Sequence, residues 1–210
     1  MSHQSQLDFV SSVRDKFPEN FINSKVLEVG SLNINGTVRM FFKDCDYLGI
    51  DIGPGKDVDL VCPAHELQTP ANTFDTTISC ECFEHDKYWV RSFKKMYDLT
   101  KPKGLLVFSC ATTGRAEHGT TRTSPADAPF TNDYYRNLTA EDFEGAFDLA
   151  EMFSEYKFST NNWPSDLYFY GVKRWSDLTF AKLWCVTTSP LFLVVLVVVE
   201  RWLLDKLKSV

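Results

Sequence analysis

A chain of 210 residues with 22 basic and 28 acidic side chains, net charge −6, is long enough for one domain with a substantial core. It carries no basic excess to favour a nucleic-acid backbone as partner. Seventeen phenylalanines, eight tyrosines and five tryptophans argue against disorder, and six cysteines at 45, 62, 80, 82, 110 and 185 form no disulfide framework. Reduced thiols in a cytoplasmic protein are expected, since the N-terminus has no apolar signal core.

Leu7, Val10, Val13 and Phe17 repeat at helical spacing until Pro18, which predicts a helix packed on a sheet. Residues 24–36, SKVLEVGSLNING, read as a buried strand over 25–29, a turn rich in Gly, Ser and Asn, and a helix over 37–43. Gly30 removes a side chain where the backbone would approach a ligand. A second apolar strand, Tyr47-Leu48-Gly49-Ile50, delivers Asp51. In nucleotide-binding α/β folds an acid there accepts hydrogen bonds from a ribose diol; the other reading is a turn residue before Gly53-Pro54-Gly55.

A short third strand over 58–61 leads to Cys62-Pro63-Ala64-His65, and a fourth over 76–79 leads to Cys80-Glu81-Cys82-Phe83-Glu84-His85. Cys80, Cys82 and His85 could ligate a metal, but structural zinc usually takes two spaced ligand pairs and no second pair follows, so no metal is expected. Trp89, Phe93, Met96 and Tyr97 form the packing stripe of a helix. Lys101-Pro102-Lys103-Gly104 reads as a turn, and 105–109 as a fully apolar central strand.

Residues 110–138 are irregular, and a loop of that length in a small domain is usually functional. It is read as a lid over an acceptor, with His118, Arg122, Tyr134 and Arg136 as the side chains that would grip a polar molecule. Thr139-Ala140-Glu141-Asp142 is a capping box opening a short helix, and strands follow over 149–158 and 167–173. Residues 191–199 are apolar without a break, and the stretch 183–204 is flanked by tryptophans, lysines and arginines. It is short for a spanning helix, so three readings stay open: a buried terminal helix, a homodimer interface, or a membrane-surface contact.

Four blocks in order carry a resemblance: VLEVGS, YLGIDIGPGKDVDLVCPAHEL, NTFDTTISCECFEH and LTKPKGLLVFS. Together they resemble class I S-adenosylmethionine-dependent methyltransferases of the methyltransferase type 11 kind. The resemblance implies an α/β fold that is doubly wound and Rossmann-like, with a mostly parallel seven-stranded sheet and an antiparallel edge. The domain would span 1–175, followed by a C-terminal apolar helical tail over 176–210. It implies S-adenosylmethionine as cofactor, bound by Glu28, Gly30, Ser31, Asp51, Ile52, Ala64, His65, Cys80 and Glu81.

His85 and His118 are the candidate catalytic residues, and Arg122, Tyr134 and Arg136 the candidate substrate residues. His85 reads either as a proton acceptor or as a residue that orients the next helix. The acceptor would be a small molecule, a saccharide or a lipid-linked intermediate, the last fitting a membrane-associated tail. Two departures stand out. The first loop keeps only its end glycines, Gly30 and Gly36, and Pro63 occupies a place where the family commonly has an Asp facing adenine. They leave two rivals: a non-catalytic scaffold on the same fold, and a nicotinamide-dependent oxidoreductase, which the missing Gly-x-Gly-x-x-Gly disfavours.

Overall fold

Apolar, β-branched runs set the strands. Lys25–Val29 forms β1, with every residue after Lys25 buried. Asp46–Asp51 is β2, Leu60–Val61 is β3, Phe74–Cys80 is β4 and Thr100–Ala111 is β5. Phe153–Thr160 and Asp166–Lys173 are β6 and β7. The helices are α1 over Gln4–Lys16, α2 over Trp89–Leu99, α3 over Ala140–Ala146 and α4 over Leu149–Met152. The computed structural model describes residues 3–131 and 133–175, and Met1–Arg174 make up one compact unit.

The strands form one sheet in the order β3-β2-β1-β4-β5-β7-β6. Pairing is parallel from β3 through β5 and antiparallel where β7 meets β5 and β6. The expected mostly parallel sheet with an antiparallel edge is therefore present. Between β1 and β4 the winding direction reverses, and the crevice at the C-terminal ends of strands at such a point is where open α/β sheets bind ligands.

Alternation along the central strands divides the core in two. Val26, Ile78, Leu105 and Val107 face Val10 and Val13 of α1, together with Phe21 and Val38. Leu27, Val29, Leu106 and Phe108 face Phe93, Met96 and Leu99 of α2, and Phe143 of α3. Phe143 stacks on Phe108 with ring centroids 4.6 Å apart. Each such fully buried ring contributes roughly 2–3 kcal/mol of transfer free energy.

Three local expectations are corrected. The helix over 37–43 is only a single turn, Val38–Phe41. Phe42 leaves it to stack on Phe21 at 4.5 Å, and Lys43 N–H donates to the Phe21 carbonyl instead of to a helical partner. The strand expected from 149 begins with α4, whose first turn Asp148 caps by accepting from Glu151 N–H at 3.1 Å, and extends only from Phe153. Residues 101–104 belong to β5, where the register with β4 shifts and Lys103 takes φ +65°. The capping box at Thr139 is present, with its N–H donating to Asp142 Oδ2 at 2.9 Å.

Lys173, at the end of β7, ties the sheet to the end of α2. Its Nζ donates to the carbonyls of Tyr97 and Thr100, both at 2.7 Å, and to Asn72 Oδ1 at 2.9 Å. The apolar tail 183–204 lies outside the described residues. Among those described, no helix is long and apolar enough to cross a membrane.

Candidate active site

The first part of the rim is the β1 and β2 ends. Gly30 has φ +78°, and a Cβ there would stand 2.7 Å from Cys82 Cβ, so only glycine lets the β1 loop pass the β4 loop this closely. The N–H groups of Gly30 and Ser31 both donate to the Ile50 carbonyl. Asp51 accepts from Leu32 N–H at 3.1 Å and Gly53 N–H at 3.2 Å, so it shapes the loop. A carboxylate has about four acceptor positions, and two bonds leave the others for a ligand. Burial pushes the Asp51 carboxyl up against the pull of those N–H groups. Ile52 is exposed beside it, and Ser31 Oγ is buried without a hydrogen-bond partner.

Glu28 sits below this rim, in the middle of β1. It is buried and accepts a 2.8 Å hydrogen bond from Tyr47 of β2. Burial pushes its carboxyl up to about 7, despite the Tyr47 bond and the nearby Arg39 guanidinium.

Ala64 and His65 open a single helical turn after β3, where Cys62 N–H donates to the Asp51 carbonyl at 2.8 Å. The first N–H groups of such a turn have no partner within it. The His65 ring rests against Tyr88, with centroids 4.6 Å apart, and its Nδ1 is buried without a partner.

At the end of β4, burial pushes the Cys80 thiol up to about 12 and raises Cys82 as well, so both are neutral walls. Glu81 stands in the left-handed region at φ +52°, a costly conformation for a non-glycine residue and one that clusters at functional sites. Its Oε1 accepts from Ser109 Oγ at 2.9 Å, and Arg115 approaches its Oε2 at 3.7 Å. Arg115 also pairs with Asp166 at 2.8 Å, and Asp166 accepts from Tyr168 and meets His3, each at 2.8 Å. Burial pushes the Asp166 carboxyl up, but the bonds from His3 and Tyr168 hold it below the usual range. This network anchors the start of α1 to the same rim.

Beyond Cys82 a single helical turn, Phe83–His85, aims Glu84 and His85 under the long loop. Glu84 is fully buried, and neither of its carboxylate oxygens has a hydrogen-bond partner. Its own N–H and that of Ala111 point toward it without reaching hydrogen-bond geometry. Burial, and then the Glu81 charge, push its carboxyl well up. Burial, and then His118, push His85 down to about 4, so its imidazole is neutral near pH 7. The His118 ring lies 5.0 Å from that of His85, and Tyr135 lies 5.4 Å from His85 and 5.0 Å from His118. Gly119, at φ +67°, lets the loop cross the His85 ring, because a Cβ there would come within 2.8 Å of Cε1.

The rim thus collects Gly30, Ser31, Asp51, Cys80 and Glu81, the turn after β4 adds His85, and the long loop adds His118. Arg122 and Arg136 are not part of that constellation. Arg122 pairs with Glu117 at 2.6 Å and Arg136 pairs with Asp142, with both guanidinium groups half exposed. Tyr134 donates its N–H to the Thr131 carbonyl at 3.2 Å, and it is Tyr135 whose ring meets His85. Sequence reasoning missed Tyr135, Arg115 and Asp166. The adjacent tyrosines were visible, but which one turns inward depends on the loop backbone. Further along the loop, Phe130 lies over Gly53, where a Cβ would clash with the ring at 2.0 Å. A separate open cleft of about 530 Å³ lies past the end of β5, lined by Thr112, Thr139, Phe158, Asn161 and Ser165. It does not reach Asp51.

Residues 27–108 match the family model described as a methyltransferase domain. No curated protein matches the chain in sequence. Among solved structures, the 1,6-didemethyltoxoflavin-N1-methyltransferase of Burkholderia thailandensis, with bound 1,6-didemethyltoxoflavin and S-adenosylhomocysteine, is similar at 14% identity and TM-score 0.54. That match covers 83% of this chain and 92% of that one. Phosphoethanolamine N-methyltransferase 2 of Haemonchus contortus, in complex with S-adenosylmethionine, is similar at 14% identity and TM-score 0.56. It is matched over 80% of this chain, which spans about half (52%) of its length. The YcgJ protein of Bacillus subtilis is similar at 12% identity and TM-score 0.56, over 83% of this chain and 100% of its own. At these identities the likeness is one of fold.

Proposed function

Residues 27–108 are a methyltransferase domain of the class I, S-adenosylmethionine-dependent family, and from that premise we propose that the chain methylates a small polar acceptor held beneath the 112–138 loop. A small molecule, a saccharide or a lipid-linked intermediate fits this reading. The observation that carries it is one rim holding both the partly open Asp51 carboxylate and the cluster of Glu84, His85 and His118.

The residues at the rim suit the cofactor. Gly30 places no side chain where the β1 loop passes Cys82, and Ser31 Oγ and His65 Nδ1 are buried polar atoms that lack partners. Asp51 would accept from the ribose hydroxyls through its remaining lone pairs, while Ile52 covers the adenine edge. Ala64 and His65 would meet adenine where the family commonly uses an Asp. S-adenosylmethionine, when bound, supplies a methyl group on a sulfonium with a neutral thioether as leaving group.

Because that leaving group is already good, positioning does most of the work. The loop, closed on His85 through Gly119, excludes water and sets the line of attack. Asp51 and the β1 loop would hold the cofactor so that its methyl carbon meets an acceptor oxygen or nitrogen lone pair, the methyl–sulfur pair staying with the thioether. The acceptor's proton would pass to the neutral imidazole of His85, with His118 beside it.

Calorimetric titration with S-adenosylmethionine and S-adenosylhomocysteine, beside NADPH, tests the reading. Micromolar binding of the sulfonium pair, weakened at least about tenfold in Asp51→Ala, is the expected result. A folded protein that binds neither would be a scaffold instead.

A further inference from the structure

We propose that Glu84, His85 and His118 form a binding site for one divalent transition-metal ion at the acceptor end of the pocket. One ligand atom from each lies within 4.8 Å of the others. Ligand atoms about 2.0–2.2 Å from a shared ion stand roughly 3–4 Å apart, so small side-chain adjustments close the trio.

Three independent observations single this cluster out from a mere grouping of titratable residues. The first is Glu84, fully buried, with both oxygens unpartnered and, among the described residues, no basic side chain paired with it. The Glu81 charge acts on it as well, and Arg115 already serves Glu81. A buried carboxylate without a counter-charge is costly, and a cation removes the cost.

The second is the state of the two imidazoles. His118 Nδ1 lies 3.1 Å from the Ala116 carbonyl, which can only accept, so Nδ1 carries the proton and Nε2 keeps a free lone pair. His85 has a buried Nδ1 with no hydrogen-bond partner. His118 thus has one nitrogen held by the backbone and one free, the arrangement that orients histidine ligands, and His85 brings a free buried nitrogen to it.

The third is the bracing of the loop. Tyr135 OH donates to the Ala116 carbonyl at 3.1 Å, Asn137 Nδ2 to the Arg115 carbonyl at 2.9 Å, and Arg136 N–H to the Glu84 carbonyl at 2.8 Å. These bonds fix the His118 segment against the turn that carries Glu84 and His85.

Two imidazoles and one carboxylate suit Zn, Fe, Co or Mn better than Mg or Ca, and three protein ligands leave positions open. This ion lies within the transferase reading and deepens it. It would bind an acceptor oxygen, lower the pKa of that hydroxyl and hold the oxygen for attack, in place of direct proton transfer to the imidazoles. The acceptor class narrows accordingly to molecules that present a hydroxyl or carboxylate.

Co²⁺ titrated into the metal-free full chain, followed by its visible absorption and by calorimetry, decides the matter. One equivalent bound at about 10 μM or tighter is expected, weakened at least about tenfold in both His118→Ala and Glu84→Gln. His118 is on the half-buried loop, so its variant keeps the fold by circular dichroism. Absent stoichiometric binding, or variants that bind as the wild type does, overturn the site. S-adenosylhomocysteine titrated separately into the wild type reports on the transferase reading, so either can fail without the other.

Discussion

Replacing Glu28 with glutamine tests the electrostatics of β1 directly. The carboxyl is 4% exposed, accepts from Tyr47 and is pushed up to about 7 by burial. Between its ordinary value and 7 the folded chain keeps a proton that the unfolded chain has released, so stability falls as pH rises through that window. A shift of about 2.5 pH units is worth about 3 kcal/mol once the group is ionised in both states. At about pH 5 the cost is under about 1 kcal/mol, and by about pH 8 nearly all of it is present. Glutamine keeps an oxygen for the Tyr47 hydroxyl and never ionises. Urea unfolding of wild type and Glu28→Gln at several pH values is the assay, because the difference between the two cancels every other titrating group. The variant should gain about 2–3 kcal/mol on the wild type from pH 5 to pH 8. A difference that stays flat with pH, or one that favours the variant toward acid, refutes the reasoning.

Gly30→Ala puts a Cβ 2.7 Å from Cys82 at a φ of +78°, and S-adenosylhomocysteine affinity measured by calorimetry should fall at least about tenfold. Gly119→Ala drives a Cβ 2.4 Å from Ala128 and 2.8 Å from His85, and urea titration should show a loss of about 1–3 kcal/mol. Lys173→Met leaves two carbonyls and Asn72 Oδ1 without their donor, and thermal unfolding should register about 1–3 kcal/mol of lost stability. An unchanged midpoint would mean those bonds are replaced by water.

Most of the sheet was legible because its strands are apolar runs closed by glycine, acid or proline, and β1 has the bounds its sequence suggests. The short connections were not. Whether 37–43 makes a helix depends on Phe42 reaching Phe21, a contact between segments some twenty residues apart in sequence. The same limit governs the site. Gly30 and Asp51 are read from strand ends, which local sequence shows. Arg122 and Arg136 look like anion grips in one dimension, yet each is taken by an acid of its own segment. Glu84 was visible beside His85, but its lack of any partner emerges only when β4, β5 and the loop enclose it.

Phe130 rests on Gly53 at the nucleotide end of the rim, while His118, earlier in the same loop, stands over His85 at the acceptor end. One segment thus lies across both half-sites, and access to them is not independent. A cofactor entering beneath Phe130 would have to bind before the acceptor, and its demethylated product would have to leave after it. Ordered turnover, with the nucleotide first in and last out, is the outcome this arrangement predicts, and product-inhibition patterns check it.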